Sequence, residues 1–177
     1  TDRWSTVVVG FCSSSRMRTG VIAGSAASYT VTLTALNRLP EAIQTTTEAM
    51  AASPDNVGYY RCRGELFARH GEWQAASDDL GKAVQLAPTE HVYWMLRGSL
   101  LLAAGDRETF DRHCQQMLER FGADTNAVVA QRVAQSCLMA PASGASLETA
   151  GQAADRALAL RTNAHSVAYF QFAKGLA

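Results

Sequence analysis

The chain has 177 residues, of which 47% are hydrophobic and 18% charged, and its 16 basic side chains balance 16 acidic ones. A chain of this length folds around its own hydrophobic core and buries roughly 70% of the surface exposed in the unfolded state. A net charge of zero argues against general electrostatic binding to nucleic acid or anionic membrane. Its longest apolar run is far shorter than the roughly 20 residues of a membrane-spanning helix. The composition therefore predicts neither nucleic acid nor a membrane as a partner.

Residues 1–22 are the first predicted element, an extended or loop segment without helix. The stretch from Ser5 to Cys12 is rich in β-favouring residues, and Gly20 follows a serine-rich run. The sequence begins at Thr1 without a methionine and stops at Ala177 within an apolar, helix-like stretch. These two ends lead us to expect a processed product or a fragment.

The clearest pattern is a repeat, because the windows 57–90 and 91–124 align over 34 residues without a gap. In the first window, Gly64 and Ala76 are small where two helices of a hairpin must cross closely. Gly71 ends the first helix, and the second carries apolar residues at helical spacing. The key places of the first window are held by Tyr60, Gly64, Phe67, Ala76, Leu80, Ala83 and Pro88.

The second window, 91–124, keeps Trp94 and Gly98 at the matching places but has the large Phe110 where the first window has Ala76, and the small Cys114 where it has Leu80. Large and small partners have exchanged sides, which conserves volume, so we expect the hairpin to survive with a changed crossing angle.

The same frame extends in both directions. Upstream, 23–56 is predicted as a degenerate repeat whose second helix starts at Pro40 and Glu41. Downstream, 125–163 is predicted as a hairpin of a helix over 125–139, a loop after Pro141, and a helix capped by Ser146. Residues 164–177 read as one more first helix without its partner.

This pattern resembles the tetratricopeptide repeat (TPR), whose signature combines aromatic, glycine, alanine and proline residues at these places. The resemblance implies an all-α fold, a right-handed superhelical solenoid of antiparallel helix hairpins over residues 23–177. The stretches 104–107, 117–122 and 172–177 resemble the C-terminal TPR region of large bacterial proteins that also carry serine/threonine kinase or WD-repeat domains. In such proteins this region is an arm for protein interaction.

In a TPR solenoid the first helix of each repeat lines a concave groove, so the resemblance implies the places of a peptide-binding site. Across the hairpins these places change from charged to apolar, which would suit a peptide with an acidic end and an aliphatic body. The predicted groove residues are Arg61, Glu65, Arg69, Met95, Ser99, Leu102, Asn126, Val129 and Val133.

Arg61, Glu65 and Arg69 recur every four residues and therefore share one helix face. They can form a solvated row of ion pairs, worth about 0.2 to 0.5 kcal/mol per pair. Alternatively, the two guanidinium groups can bind a carboxylate or phosphate through paired donors. The clamp for chaperone tails found in some TPR proteins needs Lys and Asn at the places of Arg61 and Glu65, so that ligand is rejected.

Several polar residues are assigned structural roles. Arg63 and Arg97 precede the repeat glycines, and we expect their stems to lie along a neighbouring helix while their heads reach water. Asp78 and Asp79 are adjacent, so they face different directions and make a poor acid–base pair. Trp73 and Trp94 occupy packing places.

The four cysteines, Cys12, Cys62, Cys114 and Cys137, lie far apart without a Cys-x-x-Cys motif. We predict reduced core thiols, with His113 as a surface imidazole beside Cys114, and neither a metal nor a cofactor. Reduced thiols favour a cytoplasmic location, or an extracellular one if the chain forms fibres.

The sequence shows no kinase signature and no Gly-x-Ser-x-Gly elbow, so we predict that the chain is not an enzyme. The favoured function is a scaffold that binds a protein or peptide through its groove. The alternative is self-assembly into oligomers or fibres by end-to-end stacking, because the last predicted helix exposes apolar residues without a cap. The residues expected to stack are Tyr169, Phe172 and Leu176.

Overall fold

A computed structural model describes residues 30, 33 and 34 and the ranges 37–140 and 145–159. These residues are helices and connecting turns, with no β-strand among them, which confirms the predicted all-α class for the described part of the chain. The predicted segment 1–22, the loop after Pro141 and the helix over 164–177 lie outside it. The helices with full bounds are α1 (Leu39–Ala52), α2 (Val57–His70), α3 (Trp73–Leu86), α4 (His91–Ala103), α5 (Arg107–Phe121), α6 (Ala127–Cys137) and α7 (Ala145–Ala159).

The chain divides into two compact units, one ending at Thr89 and one beginning at Glu90. The division falls next to the predicted boundary between the repeats 57–90 and 91–124. In the first unit, α2 packs against α1 and α3. In the second unit, α4 packs against α5 and α6, while α7 packs against α5 and α6. Each unit therefore contains its own set of packed helices.

The ends of the helices follow from local sequence signals. Pro40 and Glu41 lie in the first turn of α1, as predicted. The side chain of Asn56 accepts a hydrogen bond from the Gly58 N–H and caps α2, which ends at Gly71 with a φ of 87°. A residue with a Cβ is strained at that angle, so glycine is the natural stop.

The helix predicted over 125–139 is shorter than expected and spans Ala127–Cys137. The prediction that Ser146 caps the following helix is wrong, because α7 already begins at Ala145.

Helices α2 and α3 approach each other closely at Gly64. A Cβ added there would lie 2.5 Å from Leu80 Cδ2 and 3.2 Å from the carbonyl oxygen of Ala76. Contacts that short do not fit a methyl group, so the two helices can approach only because position 64 has no side chain. This confirms the predicted role of Gly64 and Ala76.

The corresponding contact in the second unit is wider. A Cβ on Gly98 would lie 3.7 Å from His113 Cδ2 and 3.8 Å from Phe110 Cε2, which are ordinary van der Waals distances. Phe110 is 1% exposed and takes the place that Ala76 has in the first unit. The two helices α4 and α5 still pack together, as predicted, while the changed crossing angle stays a prediction.

The two glycines therefore respond differently to an added methyl group. We expect Gly64→Ala to lower the free energy of unfolding by about 1–2 kcal/mol, because overpacking outweighs the gain in helix propensity. We expect Gly98→Ala to raise it by up to about 1 kcal/mol, since the methyl group fits and alanine favours the helix. Urea unfolding followed by circular dichroism measures both changes. A stabilised Gly64→Ala or a destabilised Gly98→Ala would contradict this account of the two crossings.

Candidate functional site

The predicted charged face of the groove lies on α2 in the first unit. Arg69 is exposed, while Arg61 and Glu65 are partly buried on the same face. Among the described residues, neither Arg61 nor Arg69 forms a salt bridge with a carboxylate. The row of ion pairs considered above is therefore not formed, and both guanidinium groups keep donors for another molecule.

The Glu65 carboxylate acts on the nearby thiol of Cys62. Burial of the thiol, followed by the nearby Glu65 carboxylate, raises the pKa of Cys62, although a hydrogen bond with Thr46 and the charge of Arg61 oppose the shift. A thiol with a raised pKa is mostly protonated at neutral pH and is a poor nucleophile. Cys62 is thus a packing residue of the first unit.

Three predicted groove residues of the second unit lie in its core. Met95 and Val129 are each 7% exposed and Val133 is 0% exposed. The assignment of their side chains to an accessible groove is therefore corrected. The physical reason is that α6 is covered by α4, α5 and α7, so its apolar side chains are buried among these helices.

The other predicted groove residues of the second unit are closer to the surface. Ser99 and Leu102 are partly buried, and the Ser99 hydroxyl donates to the Met95 carbonyl oxygen. Asn126 is exposed, but its side chain accepts a hydrogen bond from the Val128 N–H at 2.9 Å and caps α6. The side-chain oxygen of Asn126 therefore caps the start of α6, while the residue itself stays exposed.

Arg63 is the main polar link of the first unit. Its Nε and Nη2 donate to the two carboxylate oxygens of Asp79, each at 2.8 Å, and its Nη1 donates to Thr47 Oγ1 at 3.1 Å. The guanidinium also lies 5.6 Å from the centre of the Phe67 ring. The hydrogen bond from Arg63 to Asp79 raises the pKa of the arginine despite its burial. The side chain keeps 21% exposure, so the expected contact with water is retained, but the head also joins α2 to both α1 and α3, which the sequence did not predict.

The two adjacent aspartates on α3 have different roles. Asp79 is 6% exposed and faces Arg63, whereas Asp78 is exposed and accepts a hydrogen bond from Gln74. The prediction that they face different directions is confirmed. Asp79 was missed as a structural partner, although its spacing of 16 residues from Arg63 recurs between Arg97 and His113 in the second unit.

His113 occupies the core of the second unit rather than the surface, so that prediction is wrong. It is 1% exposed, its ring stacks on Trp94 with the centres 5.1 Å apart, and its Nε2 lies 2.8 Å from the Trp94 carbonyl oxygen. Burial lowers the pKa of His113 to about 4, and the charge of Arg97 acts in the same direction, while the hydrogen bond to Trp94 opposes them. The imidazole is therefore neutral at pH 7.

A second histidine pairs with an arginine at the contact between α4 and α6. Arg132 Nη1 forms a hydrogen bond with His91 Nε2, and the His91 ring meets Phe121 edge to face. Burial, followed by the charge of Arg132, lowers the pKa of His91, whereas Glu90 and Asp124 oppose this shift. His91 was not singled out in the sequence, and no local motif marks it.

The described cysteines are free thiols. Cys114 and Cys137 are buried in the second unit, where the Cys137 thiol donates to the Cys114 carbonyl oxygen at 3.8 Å. This agrees with the prediction of reduced core thiols, while Cys12 lies outside the described residues. Within the described ranges, His, Cys, Asp and Glu side chains do not come together in a group of three that could hold a metal ion.

The residues expected to stack end to end, Tyr169, Phe172 and Leu176, lie outside the described part of the chain, so self-assembly stays a prediction. Of the helices that are described, none has the length and apolar character needed to cross a membrane. A comparison with protein-family models finds no match, and none of the curated proteins matches the sequence.

The Arg63–Asp79 pair gives a test of which polar residues are structural. We expect Asp79→Asn to destabilise the first unit by about 2 kcal/mol, because it leaves a partly buried guanidinium without its counter-charge. Replacing both partners, in Arg63→Leu with Asp79→Leu, should recover most of that loss, since apolar pairs of similar shape replace buried ion pairs well. Thermal and urea unfolding measure the differences.

The adjacent Asp78→Asn is the matched control, and its effect should stay within about 0.5 kcal/mol because the side chain is exposed. Equal effects of Asp78→Asn and Asp79→Asn would show that the ion pair does not stabilise the unit.

Proposed function

We propose that the chain is a non-catalytic scaffold of TPR-like helix hairpins that binds an acidic segment of another protein. Two features support a repeat architecture. The glycine at the same place of each window meets the residue twelve positions later or its neighbours, and the arginine before it pairs with the residue 16 positions later. Residues at equivalent places of the two 34-residue windows therefore make corresponding contacts in the two units.

The observation that carries the proposed function is the face of α2 formed by Arg61 and Arg69. The residues are eight positions apart, which corresponds to roughly 12 Å along a helix. Neither has a carboxylate partner among the described residues. Arg63, on another face of the same helix, is held by Asp79. The α2 helix thus separates an arginine used for folding from two arginines that can meet a ligand.

Guanidinium groups at this spacing favour a partner whose carboxylates lie about two helical turns apart or along an extended strand. Arginine binds carboxylates through paired N–H donors, and such bonds are stronger than bonds between neutral groups. Glu65 lies between the two arginines and repels a continuous run of negative charge. The face therefore suits separated carboxylates rather than one densely charged group.

Self-assembly through residues 164–177 remains the alternative proposal. It differs from peptide binding in its dependence on the concentration of the chain itself. Size-exclusion chromatography with light scattering over a wide concentration range should show a constant mass for a scaffold that waits for a different partner. A mass that grows with concentration, and that falls again in Phe172→Asp, would favour end-to-end stacking instead.

Binding to an acidic peptide tests the α2 face directly. The probe is a fluorescent peptide with glutamates separated by aliphatic residues, and its counterpart carries glutamine in place of every glutamate. We expect fluorescence anisotropy to show binding of the first peptide only, weakened by added salt because exposed charges are screened. Arg61→Glu with Arg69→Glu should lower the affinity at least tenfold, about 1.4 kcal/mol.

The control is Lys82→Glu with Arg112→Glu, which makes the same change in net charge at exposed residues of α3 and α5. It should bind the peptide like the original chain, and circular dichroism should show equal helicity in all variants. If both pairs of substitutions weaken binding equally, the attraction is to the overall charge and the α2 face is not the site.

A further inference from the structure

The second unit contains two histidines that each receive a hydrogen bond from an arginine of a neighbouring helix. His113 on α5 faces Arg97 of α4, with Nη1 and Nδ1 3.5 Å apart. His91 at the start of α4 faces Arg132 of α6. Both contacts join helices that pack together in this unit.

The hydrogen bonds of His113 define its tautomer. A carbonyl oxygen only accepts, so Nε2 must carry the proton that is donated to the Trp94 carbonyl oxygen at 2.8 Å. Nδ1 is then the unprotonated nitrogen and can accept from Arg97, which only donates. A second proton on the ring would sit on Nδ1, directly opposite the guanidinium. The accepted hydrogen bond would become a repulsion between two cations.

The same argument applies to His91. Arg132 occupies its Nε2 as a donor, so this nitrogen must be unprotonated in the folded unit. The Glu90 and Asp124 carboxylates favour protonation of the ring, but burial and Arg132 oppose it more strongly. The Phe121 ring adds an apolar neighbour without a compensating charge.

The first unit has a carboxylate where the second unit has His113. Asp79 stands at the corresponding place and forms a two-point ion pair with Arg63. Its one histidine, His70, is exposed, and its Nδ1 lies 2.7 Å from a carboxylate oxygen of Glu72 rather than beside an arginine.

We propose that the second unit is an acid-sensitive element in which protonation of His113 and His91 separates α4 from α5 and α6, while the hairpin of α2 and α3 stays closed. The two units differ in their response to acid because their arginines contact different groups. In the first unit arginine meets a carboxylate, and in the second unit it meets a base that becomes a cation.

Proton linkage gives the direction and the size of the change in stability with pH. The pKa of His113 is about 4 in the folded unit and near 6.5 in an unfolded chain. The unfolded state therefore binds more protons between these values, and stability falls as the pH falls through this window. For His113 alone, the equilibrium for opening should rise about twentyfold between pH 7 and pH 5. His91 shifts in the same direction and adds to this change.

The other charged groups near these rings do not reverse the effect. Arg97 of α4 acts on His113, and the Asp106 carboxylate, next to the first residue of α5, interacts with Arg97 in turn. From α6, Cys137 contacts Cys114 rather than His113, and Arg156 of α7 donates to the Gly122 carbonyl oxygen at the end of α5. Glu90 and Asp124 moderate the shift of His91 only.

Hydrogen exchange of the whole chain, read by mass spectrometry at pH 7 and pH 5 and corrected for intrinsic exchange rates, tests the proposal without any substitution. We expect opening of peptides from 91–121 to increase about twentyfold at pH 5. Peptides from 57–86 should keep their protection. Equal loss of protection in both ranges, or no loss in 91–121, would overturn the proposal.

Two variants identify the responsible groups. Glutamine can donate and accept at once but does not titrate, so His91→Gln with His113→Gln should remove the difference between pH 7 and pH 5. His70→Gln is the matched control in the first unit and should leave the pH response of the original chain unchanged. A pH response that survives the double substitution would assign the effect to other groups and refute the mechanism.

If the double variant does not fold, proton NMR of the original chain still tests whether protonation of His113 accompanies opening of the second unit. His113 should titrate near pH 4 to 5, together with the loss of its ring-current shift from Trp94. Titration of the His113 ring near pH 6.5 with no structural change would contradict the proposal.

Discussion

In both hairpins the paired helices meet at a glycine, and the closeness of that contact governs the interactions around it. At Gly64 the space of a side chain is filled by Leu80 and by the backbone of Ala76. This approach brings Arg63, one residue earlier, within reach of both carboxylate oxygens of Asp79. The absence of a side chain at Gly64 thus favours the short, partly buried Arg63–Asp79 ion pair, because helices further apart could not hold that geometry.

The second unit uses the same places with other side chains. The contact at Gly98 is wide enough for Phe110 and His113, so two large side chains of α5 fill the space between the helices. His113 then stands where a carboxylate would be, between Arg97 and the ring of Trp94. Because the imidazole is stable there only without charge, a change in packing also becomes a change in how the unit responds to protons.

Neighbouring arginines of α2 have opposite roles for a geometric reason. Arg61 and Arg63 are two positions apart, and two positions correspond to about 200° around a helix. Arg63 therefore points to α1 and α3, where Thr47 and Asp79 bind it. Arg61 shares the opposite face with Arg69 and is available for the proposed acidic partner. Residue type alone does not distinguish the two roles, whereas the helical frame does.

Local signals in the sequence were sufficient for the all-α class of the described residues, the first turn of α1 at Pro40, the end of α2 at Gly71 and the close crossing at Gly64. The reason is that caps, periodicity and side-chain volume act over a few residues. The tertiary structure decided which polar heads are paired and which apolar faces are covered. Val133 is buried because α4, α5 and α7 all pack on α6, and His113 is buried because α4 supplies the Trp94 ring and carbonyl group. Periodicity shows which residues share a face, but burial depends on how many other helices meet that face, and only the packed units contain that information.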